Sequence, residues 1–285
     1  MSKVLIATEK PFAAPAVAGI KQILTEAGFE VVLLEKYTTK AELLAAVADV
    51  DAIIIRSDII DAEVFDAAKQ LKIVVRAGAG YDNVDLESAT AHGVCVMNTP
   101  GQNANAVAEL VFAMLLFGVR NRFNGTSGTE LKDKKLGLLA YGNTGRNVAR
   151  IAKGFGMDIY AYDPFTPAEV IEKDGVHAVA SQKELFSTCD IVSLHIPATP
   201  ETKGSIGREL VSLMPKKGIL VNTARKEVIN EPELIALLKE REDLRYFADI
   251  RPGAHEEFEA AAGDRYFSTP KKMGAQTAEA NTNAG

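Results

Sequence analysis

The densest chemistry lies between residues 136 and 163. An apolar run, 136–140, leads into Ala140-Tyr141-Gly142-Asn143-Thr144-Gly145, then into a helix-period stretch, 146–155, and a second apolar run that ends at Asp163. A tight strand-to-helix turn of this kind aims backbone N–H groups and the positive end of a helix at a pyrophosphate. Gly142 lets a phosphate approach where a Cβ would block it, Gly145 permits close packing of helix on strand, and Asn143 and Thr144 lie between them. Asp163 stands where a carboxylate accepts hydrogen bonds from both ribose hydroxyls of an adenosine and repels a 2′-phosphate, so the pattern predicts NAD and not NADP. The competing reading, glycines that only make the turn, leaves the acidic residue and the βαβ context unused. Alanine at position 140 replaces the usual first glycine, and the turn is expected to survive only if its φ is negative.

Other residues capable of chemistry are sparse and, taken alone, ambiguous. His195 and Arg225 each close an apolar run, where a histidine is ordinarily a satisfied side chain and an arginine a surface charge. Cys95 and Cys189 are the only cysteines and adjoin strand-like runs, which predicts two buried thiols and neither a disulfide nor a metal pair.

These residues need a scaffold that presents them at strand ends. Short β-branched runs recur at 4–7, 31–34, 52–55, 73–75, 94–97, 136–140, 159–162, 191–196, 219–222 and 246–250, each followed by a helix-period segment. Several are apolar on consecutive positions, as a parallel strand covered on both faces requires, so the architecture is α/β with parallel sheets. The rhythm breaks between Asn98 and Lys135. Pro100 and Gly101 stop a strand, Asn103 or Asn105 caps a helix expected over 104–122, and a Gly- and Thr-rich arm follows at 124–131. That helix is apolar around most of its circumference, so it must be buried between two domains or against another subunit. The domain boundary is placed at its start, and the arm reads as an exposed loop able to wrap a partner subunit.

Composition narrows the class. A chain of 285 residues suggests about two domains. With 47% hydrophobic and 25% charged residues it is not disordered, and 32 basic against 38 acidic residues argue against a nucleic-acid partner. The longest apolar run, 110–119, is about half of what a bilayer crossing needs. The N-terminal MSKVLIATEK has no signal-peptide apolar core, which predicts a cytoplasmic protein.

Eight motifs in order then carry a family resemblance: LKIVVRAGAGYDNVDL at 71–86, NTPGQNANAVAEL at 98–110, AYGNTGRNVA at 140–149, YDP at 162–164, DIVSLHIPATPET at 190–202, MPKKGILVNTARKEVINEPEL at 214–234, ADI at 248–250 and TPKKMGAQTAEA at 269–280. Together they resemble the D-2-hydroxyacid dehydrogenases, over nearly the whole chain. The resemblance implies two doubly wound parallel-sheet domains, a flavodoxin-like substrate-binding domain at 1–98 and a Rossmann NAD-binding domain at 99–280, with a cleft between them and the tail 281–285 returning toward the first. It implies that Arg225 binds the substrate's carboxylate and carbonyl oxygen, where a planar guanidinium fixes C2 for reaction. Asp249 matches the aspartate that orients the nicotinamide carboxamide. Asn222, Thr223 and Ala224, together with His195, Ile196, Pro197 and Thr202, match loops that line the cofactor. Asp190 reads as a strand-start or cap residue. On the substrate side, Ala77 and Gly78 match a turn whose amides hold the carboxylate. Arg56, Ser57 and Asn103 match contacts to a phosphorylated hydroxy acid, with Arg76 and Lys10 as helpers.

Two positions depart from the family pattern. The usual histidine falls on Lys272 and the usual glutamate falls within Arg251–Ala254, so both members of that pair are replaced. The TPKKMGAQTAEA segment resembles a lysine-containing branch of the family, which implies Lys272 as the proton-transfer group. A lysine serves only if its pKa drops from about 10.4 toward 7–8, and Arg225, Lys271 and a desolvated cleft all push that way. Lys272 or Lys271 acting only as an anion-binding group is the alternative; His255, beside Glu256 and Glu257, reads as solvated. The implied activity is oxidation of 3-phosphoglycerate to 3-phosphohydroxypyruvate with NAD, opening serine biosynthesis, by a homodimer built on the helix at 104–122. Hydroxypyruvate or glyoxylate reduction, or a non-catalytic NAD-sensing protein, are the alternatives. Family chains also continue past this point with a helix that packs back on the substrate domain; a chain without it is expected to expose an apolar patch and close more loosely.

Overall fold

The computed structural model describes residues 1–284; Gly285, the last residue of the tail expected to return to the first domain, lies outside the described residues. The chain divides into two compact units, Met1–Asn103 with the segment from Thr277 onward, and Ala104–Gln276.

In the first unit β1 (Lys3–Thr8), β2 (Glu30–Glu35), β3 (Ala52–Ile55), β4 (Ile73–Arg76) and β5 (Cys95–Asn98) form one sheet in the order β2-β1-β3-β4-β5. Every pairing is parallel, and the order is the flavodoxin-like one. The consecutive apolar residues of β1 explain the layering: Leu5 and Ala7 enter one core with Ile53, Val74 and Phe65, while Ile6 enters a second with Phe12 and Ile20. Cys95 corrects an expectation, because it is exposed while Cys189 is buried. β5 is the sheet's edge strand, and its alternate residues Cys95 and Met97 face outward uncovered. A short helix, Ala278–Ala284, belongs to this unit, with the Arg56 guanidinium donating to Asn281 Oδ1 at 2.7 Å and Thr99 Oγ1 to the Ala284 carbonyl at 3.2 Å. The expectation that no returning helix is present is thereby corrected for these residues.

The second unit holds β6 (Lys135–Leu139), β7 (Asp158–Tyr162), β8 (His177–Ala178), β9 (Ile191–Leu194), β10 (Ile219–Asn222), β11 (Arg245–Ala248) and β12 (Tyr266–Ser268), all parallel, in the order β12-β11-β10-β9-β6-β7-β8. This is the Rossmann order with one strand added, and it reverses direction between β6 and β9, the point at which sheets of this order bind ligands outside the strands' carboxyl ends. Asp190 anchors the start of β6 by accepting the Lys135 amide at 2.9 Å.

The long apolar helix spans Ala104–Val119 and stops three residues early, because Asn121, Arg122 and Phe123 take φ of 48°, 56° and 58°. Its buried face carries Ala108, Val111, Phe112, Leu115 and Gly118, and at Gly118 an added Cβ would lie 2.1 Å from the Phe247 ring. Asn105, Glu109 and Ala113 remain exposed along one stripe, as does the arm from Phe123 to Glu130, whereas Leu131 is buried. Among the described residues no helix is long and apolar enough to cross a membrane, and no cluster of histidine, cysteine or acidic residues is arranged to hold a metal ion.

Candidate active site

At this point of reversal, β6 ends at Leu139 and the chain turns through Ala140. Its φ is +82°, so the expectation of a negative value is corrected: the turn is kept by holding an alanine in the left-handed region. Two hydrogen bonds fix it, Ala140 N–H to the Tyr162 carbonyl at 2.9 Å and Tyr141 N–H to Asp163 Oδ2 at 2.8 Å. Asp163 also accepts the Phe165 amide through Oδ1 at 2.8 Å, so it builds the turn as well as ending β7. The helix Asn143–Gly154 begins after Gly142 with no side-chain cap, and a Cβ placed on Gly142 would meet nothing within 4 Å. Its first N–H groups and the space in front of them therefore suit an anion. A Cβ on Gly145 would sit 2.5 Å from the Ala140 carbonyl oxygen, which shows how closely helix and turn pack. Beneath them Tyr141 is buried and donates to Asp174 Oδ2 at 3.1 Å; burial pushes its hydroxyl up to about 12.

The strain at Ala140 yields a prediction. A non-glycine residue in this region costs about 1–2 kcal/mol, against about 0.4–1 kcal/mol for the extra freedom glycine adds to the unfolded chain. Ala140→Gly is therefore expected to stabilise the protein by up to about 1 kcal/mol and to leave NAD affinity unchanged. Thermal unfolding and an NADH fluorescence titration check this; a lower melting temperature would refute it.

A second group of residues gathers at the carboxyl ends of β10 and β11. Asn222, buried, accepts the Ala224 amide at 3.0 Å and donates to the Arg225 carbonyl at 2.9 Å, folding Asn222–Arg225 into a tight turn. Two cations converge on the single carbonyl oxygen of Ala224, Lys272 Nζ at 2.6 Å and Arg225 Nη1 at 3.1 Å. Lys271 is exposed on the same segment. Asp249 is buried, and its carboxylate accepts from Thr269 Oγ1, Met273 N–H and Gly274 N–H at 2.7–2.8 Å. After β9, His195 donates its amide to the Leu139 carbonyl at 2.9 Å, and burial pushes its ring down to about 4, so it is neutral at pH 7. The loop beyond it, with Ile196 and Pro197, is shaped by Thr202, whose hydroxyl donates to the Pro197 carbonyl and accepts the Thr199 amide at 2.7 Å.

Residues 116–263 match the family model described as D-isomer specific 2-hydroxyacid dehydrogenase, NAD binding domain. The chain is 35% identical to the hydroxypyruvate reductase of Thermotoga maritima, over 90% of this chain and 88% of that one. The chain belongs to the D-isomer specific 2-hydroxyacid dehydrogenases. It also resembles a solved NAD+-bound 3-phosphoglycerate dehydrogenase of Entamoeba histolytica, with a TM-score of 0.90, 48% identity and coverage of 99% of this chain and 91% of that one. A D-3-phosphoglycerate dehydrogenase of Methanocaldococcus jannaschii is 38% identical over 87% of this chain, which spans about half (50%) of that relative's length.

The residues at the carboxyl ends of β6 and β9 suit NAD, the cofactor that the matched family domain binds. Besides the uncapped helix and open Gly142, the buried side-chain polar atoms without a hydrogen-bond partner include His195 Nε2 and Thr223 Oγ1, with Ser193 Oγ on β9 as another in this unit. His195 and Thr223 belong to loops assigned to the cofactor from sequence. Thr202 differs, since its hydroxyl is spent within its own loop. His255 also differs from the sequence reading: it is largely buried, its Nδ1 bonded to Tyr266 Oη at 2.9 Å and its Nε2 3.3 Å from Glu259.

In the first unit, Arg56 donates to the Pro11 carbonyl at 2.9 Å and to Asn281, and its guanidinium lies 5.6 Å from the Phe12 ring centre. Ser57 is exposed, and Asn103 is half-buried at the unit's end. Ala77 must be corrected as an anion-holding amide, because its N–H donates to the Ile55 carbonyl at 2.8 Å. Gly78 takes φ +147°, a conformation that residues with a side chain rarely adopt, and the Arg76 guanidinium packs over it. The sequence reading missed Asp58. Buried, it accepts from Tyr37 Oη at 2.7 Å, Glu9 N–H at 2.8 Å and Arg56 N–H at 3.1 Å, joining the ends of β1 and β3. A lone aspartate after Arg-Ser carries no local signal of burial.

Proposed function

We propose that this chain is an NAD-dependent oxidoreductase acting at C2 of a phosphorylated 2-hydroxy acid, with 3-phosphoglycerate and 3-phosphohydroxypyruvate as its substrate pair, in the cytoplasmic route to serine. The observation that carries the reading is the convergence of Arg225 and Lys272 on the Ala224 carbonyl, which sets a carboxylate-binding fork beside an amine. Arg225 holds the substrate's carboxylate and C2 oxygen in paired hydrogen bonds. Lys272, in its amine form, takes the C2 hydroxyl proton and returns it in reduction. NAD, when bound, supplies the hydride acceptor; Gly142, Asn143, Thr144 and Gly145 hold its pyrophosphate, and Asp163 its adenosine ribose. His195 and Thr223 supply polar atoms toward it, and Asp249 fixes the segment that carries Lys272.

In the first unit, read as the substrate-binding domain, Arg56 with Ser57 and Asn103 meets the phosphate, and the Gly78 amide meets the carboxylate. Lys271 adds positive charge. A homodimer is proposed through the helix Ala104–Val119 and the exposed arm that follows it at 123–130. Hydroxypyruvate reduction is the second reading, favoured by the Thermotoga relative, whose length this chain nearly spans. A non-catalytic NAD sensor has no need of a carboxylate fork at Arg225.

Purified protein assayed with NAD and 3-phosphoglycerate, and with NADH and either 3-phosphohydroxypyruvate or hydroxypyruvate, tests the reading. The expected result is a kcat/KM for the phosphorylated keto acid at least about tenfold above that for hydroxypyruvate, since a phosphate–guanidinium contact is worth about 1.5–3 kcal/mol. Equal or reversed preference would favour hydroxypyruvate reductase, and NAD binding without turnover of any 2-keto acid would favour the sensor.

A further inference from the structure

The segment that carries Lys272 is held at both ends by one carboxylate. Asp249 Oδ1 accepts Thr269 Oγ1 at 2.8 Å and Met273 N–H at 2.7 Å, and Oδ2 accepts Gly274 N–H at 2.8 Å, with Lys272 lying between these anchor points. Gly274 is required for this closeness, since a Cβ there would stand 2.9 Å from Asp249 Oδ2 and 3.1 Å from Val107 Cγ2. The Thr269 hydroxyl works in both directions: it donates to Asp249 and accepts the Ile250 amide at 2.8 Å. Ile250 takes φ +110°, a conformation that a β-branched residue keeps only when its surroundings over-determine it. Such strain tends to mark functional positions.

The same strand ends also anchor the acceptor of Lys272. Asp249 N–H donates to the Asn222 carbonyl at 2.8 Å, and the Asn222 side chain holds the Ala224 amide at 3.0 Å. Thr269 N–H donates to the Ala248 carbonyl at 3.0 Å. Lys272 Nζ and the Ala224 oxygen, 2.6 Å apart, are thus each tied by short hydrogen-bond paths to the carboxyl ends of β10 and β11.

We propose that Thr269, linking the Asp249 carboxylate to the strained Ile250 amide, is a positioning residue that sets the Lys272 amine against the Ala224 carbonyl and so aligns it for proton transfer. This rests on the reading of Lys272 as the proton-transfer group. Thr269 touches neither reactant; it acts through the geometry of residues 269–274. Valine matches threonine in shape but lacks the hydroxyl. In Thr269→Val, Asp249 therefore loses one of its three donors and the Ile250 amide loses its acceptor.

The test compares Thr269→Val and Thr269→Ser with the full chain, reading turnover alongside amide hydrogen exchange. Thr269→Val is expected to lower kcat about tenfold or more, misplacement of a reacting group being costly to rate, with KM and NADH affinity within about twofold. The Met273 and Gly274 amides should exchange at least about tenfold faster, reporting loss of the anchor. Thr269→Ser, which keeps the hydroxyl, should restore both. An unchanged kcat in Thr269→Val despite faster exchange would overturn the positioning role, as would a serine variant as slow as the valine one. If the wild type turns over no 2-hydroxy acid, the functional reading fails by itself, and unchanged exchange at Met273 and Gly274 in Thr269→Val would separately refute the anchor.

Discussion

Replacing Arg225 with leucine is expected to lower kcat/KM for the phosphorylated 2-hydroxy acid by roughly a hundred- to twenty-thousand-fold, with NADH affinity within about twofold. Two hydrogen bonds from a guanidinium to a carboxylate and its neighbouring oxygen are worth about 1.5–3 kcal/mol each, and about 1.4 kcal/mol corresponds to a factor of ten in rate. The local fold should survive, because the turn Asn222–Arg225 is held by the Asn222 side chain and by backbone, and the Ala224 carbonyl keeps Lys272 as a donor. Steady-state kinetics with a cofactor titration checks this. A variant with unchanged kcat/KM would return Arg225 to the status of a charge at a strand end. Lysine in its place should recover only a small part of the loss, since an ammonium cannot present the planar pair of donors.

Lys272→Met should act on a different quantity. If the amine moves the proton, kcat falls about a hundred- to ten-thousand-fold, the range over which a positioned acid–base group acts, while KM changes little. The methionine keeps most of the side chain's apolar bulk, and Arg225 Nη1 still donates to Ala224 at 3.1 Å, so unfolding is not the expected cause. A variant that keeps its maximal rate and only weakens substrate binding would make the lysine an anion-binding group. Lys271→Met serves as the comparison: exposed on the same segment, it should raise KM more than it lowers kcat.

Much of the scaffold was legible because parallel strands covered on both faces write themselves as consecutive apolar residues, as at Val4–Ala7, where all four side chains are buried. The strands overlooked, β8 with two residues and β12 with three, are too short to carry a period. Cys95 was misplaced because an apolar neighbourhood does not say whether a strand lies at the centre or the edge of its sheet. His255 looked solvated beside Glu256 and Glu257; Glu259 is its neighbour one helical turn on, but the Tyr266 hydroxyl comes within reach only once helix and strand are packed.

The glycine-bearing turn after β6 could be read from spacing, yet the conformation of its first residue could not. Alanine at 140 argues for a negative φ on local grounds, and the structure overrules this with hydrogen bonds from β7 and Asp163, more than twenty residues further along the chain. Strain of about 1–2 kcal/mol is tolerated when contacts of that kind fix the backbone.

By itself the sequence determined the kinds of parts and their order: a glycine-bearing turn before an acidic strand end, an arginine after a buried strand, and a pair of lysines on the segment that follows the last strand. These are local patterns, set by backbone conformation and side-chain chemistry. Tertiary structure alone decided which groups are already committed and to what. The Ala77 amide is spent on Ile55, the Thr202 hydroxyl on its own loop, the Asp249 carboxylate on residues 269–274, and two cations share the Ala224 oxygen. Most of these partners are 20 or more residues apart in the chain. A buried polar group must find a partner, but which one is within reach is set only when the strand ends are brought side by side.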